Sequence, residues 1–130
     1  MTDEELITQF ESGSLPAVGF HHADHVRVAF AYLGRYPLLS ALERFSNALR
    51  RFAASQGKPN LYNETITWAY LFLIHERISR TAERLTWEQF TIGNPDLLTW
   101  KDGVLKRYYA AETLQSDLAK RVFLFPDRWA

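Results

Sequence analysis

Hydrophobic residues recur along this chain with the period of an α-helix and not with the alternation of a β-strand. The clearest case lies between Pro37 and Gly57. Here apolar residues follow one another at spacings of four and three: Leu38, Leu42, Phe45, Leu49 and Phe52. We expect this helix to begin at Pro37, because proline fits the first turn of a helix, and to stop at Gly57.

The other helices are predicted from the same period and from their capping residues. Thr2 and Glu5 form a capping-box pattern at the start of the first helix, and Thr86 is a typical cap for a short later helix. The predicted helices cover residues 3–11, 21–34, 63–81, 86–91, 101–109 and 112–122. Gly and Pro residues separate several of them, and no strand is expected in the closing residues 123–130.

The helix predicted over residues 63–81 differs from the rest because its segment 66–74, ITWAYLFLI, is apolar at every position except Thr67. A helix that is apolar on all sides is a buried one. We therefore expect an all-α fold, a single-domain helical bundle of five to seven helices around this buried central helix, formed by residues 1–130.

The amino-acid composition argues against several classes of protein. Hydrophobic residues make up 47% of the 130 residues and aromatic residues 15%, which argues against intrinsic disorder. Fifteen Lys and Arg residues balance fifteen Asp and Glu residues, and this zero net charge argues against nucleic-acid binding. The chain has no cysteine, so disulfides and thiolate metal sites are excluded.

The chain begins MTDEEL, which is acidic and lacks the apolar segment of a secretory signal. Its longest nearly apolar run, residues 66–74, is much shorter than the ~20 residues of a membrane-spanning helix. We therefore expect a soluble, cytoplasmic protein with no membrane partner. Four tryptophans and the apolar composition are compatible with a homodimer, and the sequence leaves the oligomeric state open.

The chemistry that stands out is a histidine cluster, since three of the four histidines lie within five residues, at His21, His22 and His25. Helix residues three or four apart share a face, so two of these imidazoles can bind one divalent metal ion. Glu64, in the first turn of the central helix, is the best candidate for a third ligand. The pattern thus predicts a metal site formed by His22, His25 and Glu64, which would suit zinc, iron, nickel or manganese. In the alternative interpretation, Glu64 is only a first-turn charge and the histidines are an exposed helix start.

Five more residues are candidates for a pocket wall or for support of the site: Asp24, Tyr32, Tyr62, Thr67 and Trp68. Asp24 can orient a ligand histidine, or it can pair with Arg27 three residues further on. Thr67 can bond to a bound molecule, or to the carbonyl group four residues earlier. Tyr32 and Trp68 are the best wall candidates, although buried aromatic residues are more often plain core residues.

These residues resemble the motifs of a family of small bacterial all-helical proteins of uncharacterised function. Its pattern is F-x-H-x-x-H-[VL]-x-x-A-x-x-Y-L, then Y-H-E-T-I-T, then a late Y-Y and a PDR-like ending. The matching residues here are Phe20, His22, His25, Val26, Ala29, Tyr32 and Leu33, then Tyr62, Asn63, Glu64, Thr65, Ile66 and Thr67, and finally Tyr108, Tyr109, Pro126, Asp127 and Arg128. The resemblance implies a shared His–His–Glu site but no activity or substrate. This chain departs from the pattern at Asn63, where the family has a histidine.

Three functions therefore stay open at the level of the sequence. The first is a small metal-binding protein, or a metalloenzyme that acts on a small organic substrate in an aromatic-lined pocket. The second is a metal-free ligand-binding or acid–base site that uses the same residues. The third is a structural or partner-binding helical bundle, and the sequence does not decide whether the protein is an enzyme.

Overall fold

The protein folds as an all-α helical bundle, in a computed structural model that describes residues 1–16 and 20–128. The α-helices of these residues are α1 (Asp3–Ser12), α2 (His22–Arg35), α3 (Leu38–Ser55), α4 (Glu64–Ser79), α5 (Trp87–Gly93), α6 (Ala111–Gln115) and α7 (Asp117–Arg121). Short 3₁₀ helices cover Pro59–Leu61, Pro95–Leu97 and Val104–Arg107. The described residues contain no strand, so the predicted fold class is confirmed.

Helix α4 lies at the centre of the bundle, as its apolar sequence predicts. It packs against α2, α3 and α7. Thr65, Leu71 and Ile74 on this helix are completely shielded from solvent. None of the described helices is both long and apolar enough to cross a membrane.

Capping residues set the ends of several helices at or close to the positions that the sequence predicts. The Asn63 side chain accepts a hydrogen bond from the Ile66 amide at 2.9 Å and so begins α4. Thr86 forms a reciprocal capping box with Gln89 at the start of α5. Gly57 takes the left-handed conformation, with φ at 70°, just after α3 ends. Pro37 lies one residue before α3 as its N-cap, not in its first turn.

Two predicted helices are wrong. Residues 101–109 form only the 3₁₀ helix Val104–Arg107, which follows a turn in which Asp102 has a positive φ of 54°. Residues 112–122 form two short helices with a break at Ser116. The physical reason is local, because the Ser116 hydroxyl accepts a hydrogen bond from the Ala119 amide and caps α7 instead of continuing α6.

The extended segment after α7 is held against the central helix. The Thr65 hydroxyl donates a hydrogen bond to the Val122 carbonyl at 2.8 Å and accepts one from the Leu124 amide at 3.1 Å. The Tyr109 hydroxyl donates to the Leu124 carbonyl at 2.8 Å. These bonds satisfy buried polar groups, and they fix the C-terminal residues beside α4.

Candidate ligand-binding cavity

A cavity of about 1060 Å³ lies between α2, α3 and α4. Its wall also includes residues just before α2, in the α3–α4 connection, just after the 3₁₀ helix Pro95–Leu97, and in α6 and α7. Its walls are mainly aromatic and aliphatic, with Phe20, Phe45, Phe52, Ile66, Tyr70 and Leu71 among them. Proteins bind small organic molecules in mostly apolar pockets of roughly 300–1,000 Å³ that carry a few polar groups. By size and lining, this cavity is suited to such a molecule.

His22 and His25, both predicted as site residues, lie on the wall of this cavity. His22 Nε2 is 2.9 Å from the Leu97 carbonyl oxygen. Because a carbonyl can only accept a hydrogen bond, Nε2 carries the proton and Nδ1 keeps its lone pair. The His22 ring also packs against Tyr70, at 4.7 Å between ring centroids. The His25 ring packs against Phe20 at the same centroid distance.

Both imidazoles are neutral at pH 7. Burial, with a smaller contribution from the nearby His22, lowers the pKa of His25 to about 4 against the opposing effect of Asp24. Burial also lowers the pKa of His22, against the opposing effect of its hydrogen bond to Leu97. A pKa near 4 is poorly matched to a general base that works at neutral pH. A neutral imidazole can still donate one hydrogen bond and accept another, so these groups are suited to binding a polar group.

Glu64 is buried, with 8% of its surface exposed, but its partners are not the histidines. Its Oε1 accepts a hydrogen bond from Arg50 Nη2 at 2.7 Å and a short one from the Tyr62 hydroxyl. Arg50 therefore supplies the cation that a buried carboxylate needs. Within residues 1–16 and 20–128, no three His, Asp or Glu side chains form a group that could hold a metal ion. The structure thus does not bring Glu64 together with His22 and His25.

Two of the five supporting candidates line the cavity. Tyr62 does so while its hydroxyl binds Glu64, and burial together with this bond raises the pKa of Tyr62 to about 12. Thr67 also lines the cavity, and its hydroxyl donates to the Asn63 carbonyl at 2.7 Å. This is the backbone bond that the alternative interpretation of Thr67 predicts.

The other three supporting candidates do not line the cavity. Tyr32 is a core residue whose hydroxyl donates to Glu11 at 2.8 Å. The Trp68 ring packs against Phe123, at 5.7 Å between centroids, beside the C-terminal segment. The Asp24 carboxylate accepts a hydrogen bond from the amide of the preceding helix cap, at 2.8 Å.

An ion pair between Asp24 and Arg27, the surface alternative, does not form. Arg27 on α2 pairs instead with Asp3 on α1, where Nη2 lies 2.7 Å from the carboxylate oxygen. The pairing fixes α1 against α2, and Asp24 is left to cap its own helix.

Three further cavity residues, which were not predicted as site residues, come from distant parts of the chain: Lys58, Trp100 and Lys120. The Trp100 ring packs against His22, with centroids 5.4 Å apart, and 57% of the residue is exposed. Lys58 precedes the 3₁₀ helix Pro59–Leu61, and Lys120 lies on α7. No periodic or short-range pattern connects these three positions, because only the folded chain brings them to one cavity.

No family model, curated protein or solved structure matches this chain. The resemblance of its histidine and glutamate motifs to a bacterial family therefore stays a prediction.

Proposed function

We propose that this protein binds a small, mainly apolar organic molecule in the cavity between α2, α3 and α4. The observation that supports this is a cavity of about 1060 Å³ whose aromatic and aliphatic walls include two neutral imidazoles. Transfer of apolar ligand surface from water into such a cavity contributes about 25 cal/mol per Å². The favourable free energy of binding therefore comes mainly from the apolar walls.

His22 and His25 give this cavity polar specificity. His22 Nε2–H is already used by the Leu97 carbonyl, so Nδ1 is the nitrogen that accepts a hydrogen bond from the ligand. His25 adds a second neutral imidazole on the same helix. A polar group of the ligand that bonds to these nitrogens would be oriented relative to the aromatic walls. We propose a binding role in preference to acid–base catalysis by His25, because its pKa of about 4 is poorly matched to proton transfer at neutral pH.

The test uses N-phenylnaphthylamine, an uncharged apolar dye whose fluorescence rises when it leaves water. We expect saturable binding of one dye molecule to the wild-type protein. Ala53→Trp adds a large side chain at the wall of the cavity and should abolish binding. Ala54→Trp is the matched control, because Ala54 is the next residue of α3 but is exposed and does not line the cavity.

Absence of saturable binding to the wild-type protein would overturn the proposal. It would also fail if Ala53→Trp bound the dye with wild-type affinity while its circular dichroism stayed that of a folded helical protein. Equal loss of binding in both tryptophan variants would mean that the dye reports the state of α3 and not the cavity.

A second candidate function, metal binding, is favoured by one specific observation. His22 and His25 are neutral, share the cavity wall, and His22 donates its Nε2–H to a backbone carbonyl, as ligating histidines commonly do. Neutral imidazole is the form that binds zinc, iron, nickel or manganese. Two imidazoles fall short of a full ligand set, so a water molecule or a group of the organic ligand would have to complete it.

Zinc titration of untagged protein tests this second function. We expect one zinc ion per chain to be lost in His22→Ala and in His25→Ala but retained in His75→Ala, since His75 does not line the cavity. Glu64→Ala should also retain zinc, because its carboxylate is bound to Arg50. No stoichiometric zinc in the wild-type protein would exclude zinc, and repeated titrations with iron, nickel and manganese would extend the test to those ions.

A further inference from the structure

We propose that the ligand of this cavity is an amphipathic organic anion, with a carboxylate at the rim and an apolar body inside. This inference rests on the proposed function and adds the chemical class of the ligand. Its basis is that two lysines and three exposed amide side chains belong to the lining of a mainly apolar cavity, and that this described lining contains no acidic residue.

The first observation is the charge of the lining. Asp and Glu are as numerous as Lys and Arg in the whole chain. Among the described residues that line the cavity there is nevertheless no Asp or Glu, whereas Lys58 and Lys120 both belong to it. The formal charge of the lining is therefore positive at pH 7.

The two lysines are also free to bind a ligand. Within residues 1–16 and 20–128, neither Lys58 nor Lys120 takes part in an ion pair. Lys58 is exposed, and Lys120 is partly buried. An ammonium group that no carboxylate of the protein neutralises attracts an anion without first having to break an existing pair.

Five lysine and amide residues of the lining are exposed or only partly buried, and we call this set the polar rim: Gln56, Lys58, Asn60, Gln115 and Lys120. Gln56, Asn60 and Gln115 are exposed, and each carries an amide N–H₂ group that can donate to a carboxylate. Asn63 holds the two sides of this rim together, because its Nδ2 donates to the Leu114 carbonyl at 2.7 Å. The polar rim is thus built from both the α3–α4 connection and the α6–α7 pair.

The interior has the opposite character. Phe45, Phe52 and Leu71 line the cavity and are buried or partly buried in the core. An ionised group has a high cost in such surroundings, whereas an alkyl or aryl group gains free energy there. A ligand that satisfies both regions has a charged head group at the polar rim and a mainly apolar body between α2, α3 and α4, where a neutral donor group of the ligand can bond to His22 Nδ1.

The test compares three ligands with the same alkyl chain by isothermal titration calorimetry below their micelle concentrations. The ligands are dodecanoate, dodecanol and dodecyltrimethylammonium, which are anionic, neutral and cationic. One ammonium–carboxylate contact at a solvated rim is worth about fivefold in affinity. We therefore expect dodecanoate to bind at least about fivefold more tightly than dodecanol, and the cation to bind most weakly.

Substitution of both lysines tests whether the polar rim causes the difference in affinity between dodecanoate and dodecanol. In the double variant Lys58→Met with Lys120→Met, dodecanoate affinity should fall to that of dodecanol, and dodecanol affinity should not change. Lys101→Met is the control, because Lys101 is exposed and does not line the cavity. This substitution also removes a lysine charge, but away from the cavity lining. Added salt should weaken dodecanoate binding to the wild-type protein and leave dodecanol binding unchanged.

The outcomes separate this inference from the proposed function. If dodecanol binds as tightly as dodecanoate while N-phenylnaphthylamine still binds in the cavity, the anion inference is overturned and the proposed function stands. If none of the three ligands and no dye binds, the proposed function itself fails. Equal loss of dodecanoate affinity in Lys101→Met and in the double variant would show that net charge acts at long range, which would overturn the role of the polar rim.

Discussion

Removal of the Glu64 carboxylate should destabilise the fold but leave dye and zinc binding in the cavity intact. In Glu64→Ala, the Tyr62 hydroxyl and Arg50 both lose the acceptor that they share. The Arg50 side chain is 45% exposed, so its ion pair contributes only about 0.5 kcal/mol. The Tyr62 hydroxyl is buried and donates to a charged group, a bond worth about 1.5–3 kcal/mol. The free energy of unfolding should therefore fall by about 2–4 kcal/mol.

A simple helix-dipole role for Glu64 predicts a much smaller loss, about 0.3–1 kcal/mol. The two accounts are separated by urea unfolding of a double-mutant cycle that consists of the wild-type protein, Glu64→Ala, Tyr62→Phe and the double variant. We expect a coupling free energy of about 1–2 kcal/mol between the two residues. Glu43→Ala is the control, because Glu43 is an exposed residue of α3 and its loss should change stability by less than about 0.5 kcal/mol.

Two results would refute this reasoning about Glu64. One is a coupling free energy below about 0.3 kcal/mol, which would mean that the hydroxyl and the carboxylate act independently. The other is loss of dye or zinc binding in Glu64→Ala with the fold intact, which would bring the carboxylate back to the histidine pair.

Other predictions concern His25, Thr65 and Ser116. The pKa of His25 is lowered from 6.5 to about 4, so His25 binds a proton more readily in the unfolded chain than in the folded protein. The free energy of unfolding should therefore be highest above pH 6.5 and should fall by up to ~3 kcal/mol as the pH drops to 4. Urea unfolding at pH 7 and pH 4.5 measures this loss, which should shrink in His25→Gln. Thr65→Val leaves the Val122 carbonyl and the Leu124 amide without their buried partner and should cost about 1–3 kcal/mol, with faster hydrogen exchange at Leu124; unchanged exchange would contradict it. Ser116→Ala removes the α7 cap and should cost about 1 kcal/mol in thermal unfolding, whereas a stabilised variant would mean that the break between α6 and α7 is itself strained.

The main helices could be predicted because their sequence signals are local. The spacing of apolar residues between Pro37 and Gly57 predicts α3, and the apolar run over residues 66–74 predicts the buried position of α4. Asn63 and Thr86 begin their helices through bonds to amides three residues ahead, which short-range sequence patterns capture.

The region after α5 could not be predicted from helical period alone. The turn near Asp102 and the break at Ser116 interrupt segments whose apolar spacing is compatible with longer helices. In both places the backbone forms hydrogen bonds with nearby side chains or within a turn, and the helix does not continue. The difference in free energy between these two conformations is too small to be predicted from amino-acid composition.

The candidate site could be predicted only in part, for a physical reason. Four predicted site residues do line the cavity: His22, His25, Tyr62 and Thr67. They could be predicted because each lies in a short sequence motif near the start of a helix or just before it. The partner of Glu64 could not be predicted from the sequence. A carboxylate pairs with the nearest available cation in space, and here that cation is Arg50 on another helix. Lys58, Trp100 and Lys120 lie far apart in the sequence, so no local pattern could have brought them together.

The central claim is that the cavity next to the histidine pair binds an organic ligand, and NMR on the intact protein tests it most directly. Dodecanoate is titrated into isotope-labelled protein while the imidazole signals of His22 and His25 and the indole signals of Trp87 and Trp100 are followed. The account predicts saturable shifts at both histidines and at Trp100, which line the cavity, and none at Trp87, which packs against Phe30 elsewhere. Unshifted histidine signals at saturating ligand, or shifts of equal size at Trp87, would contradict it.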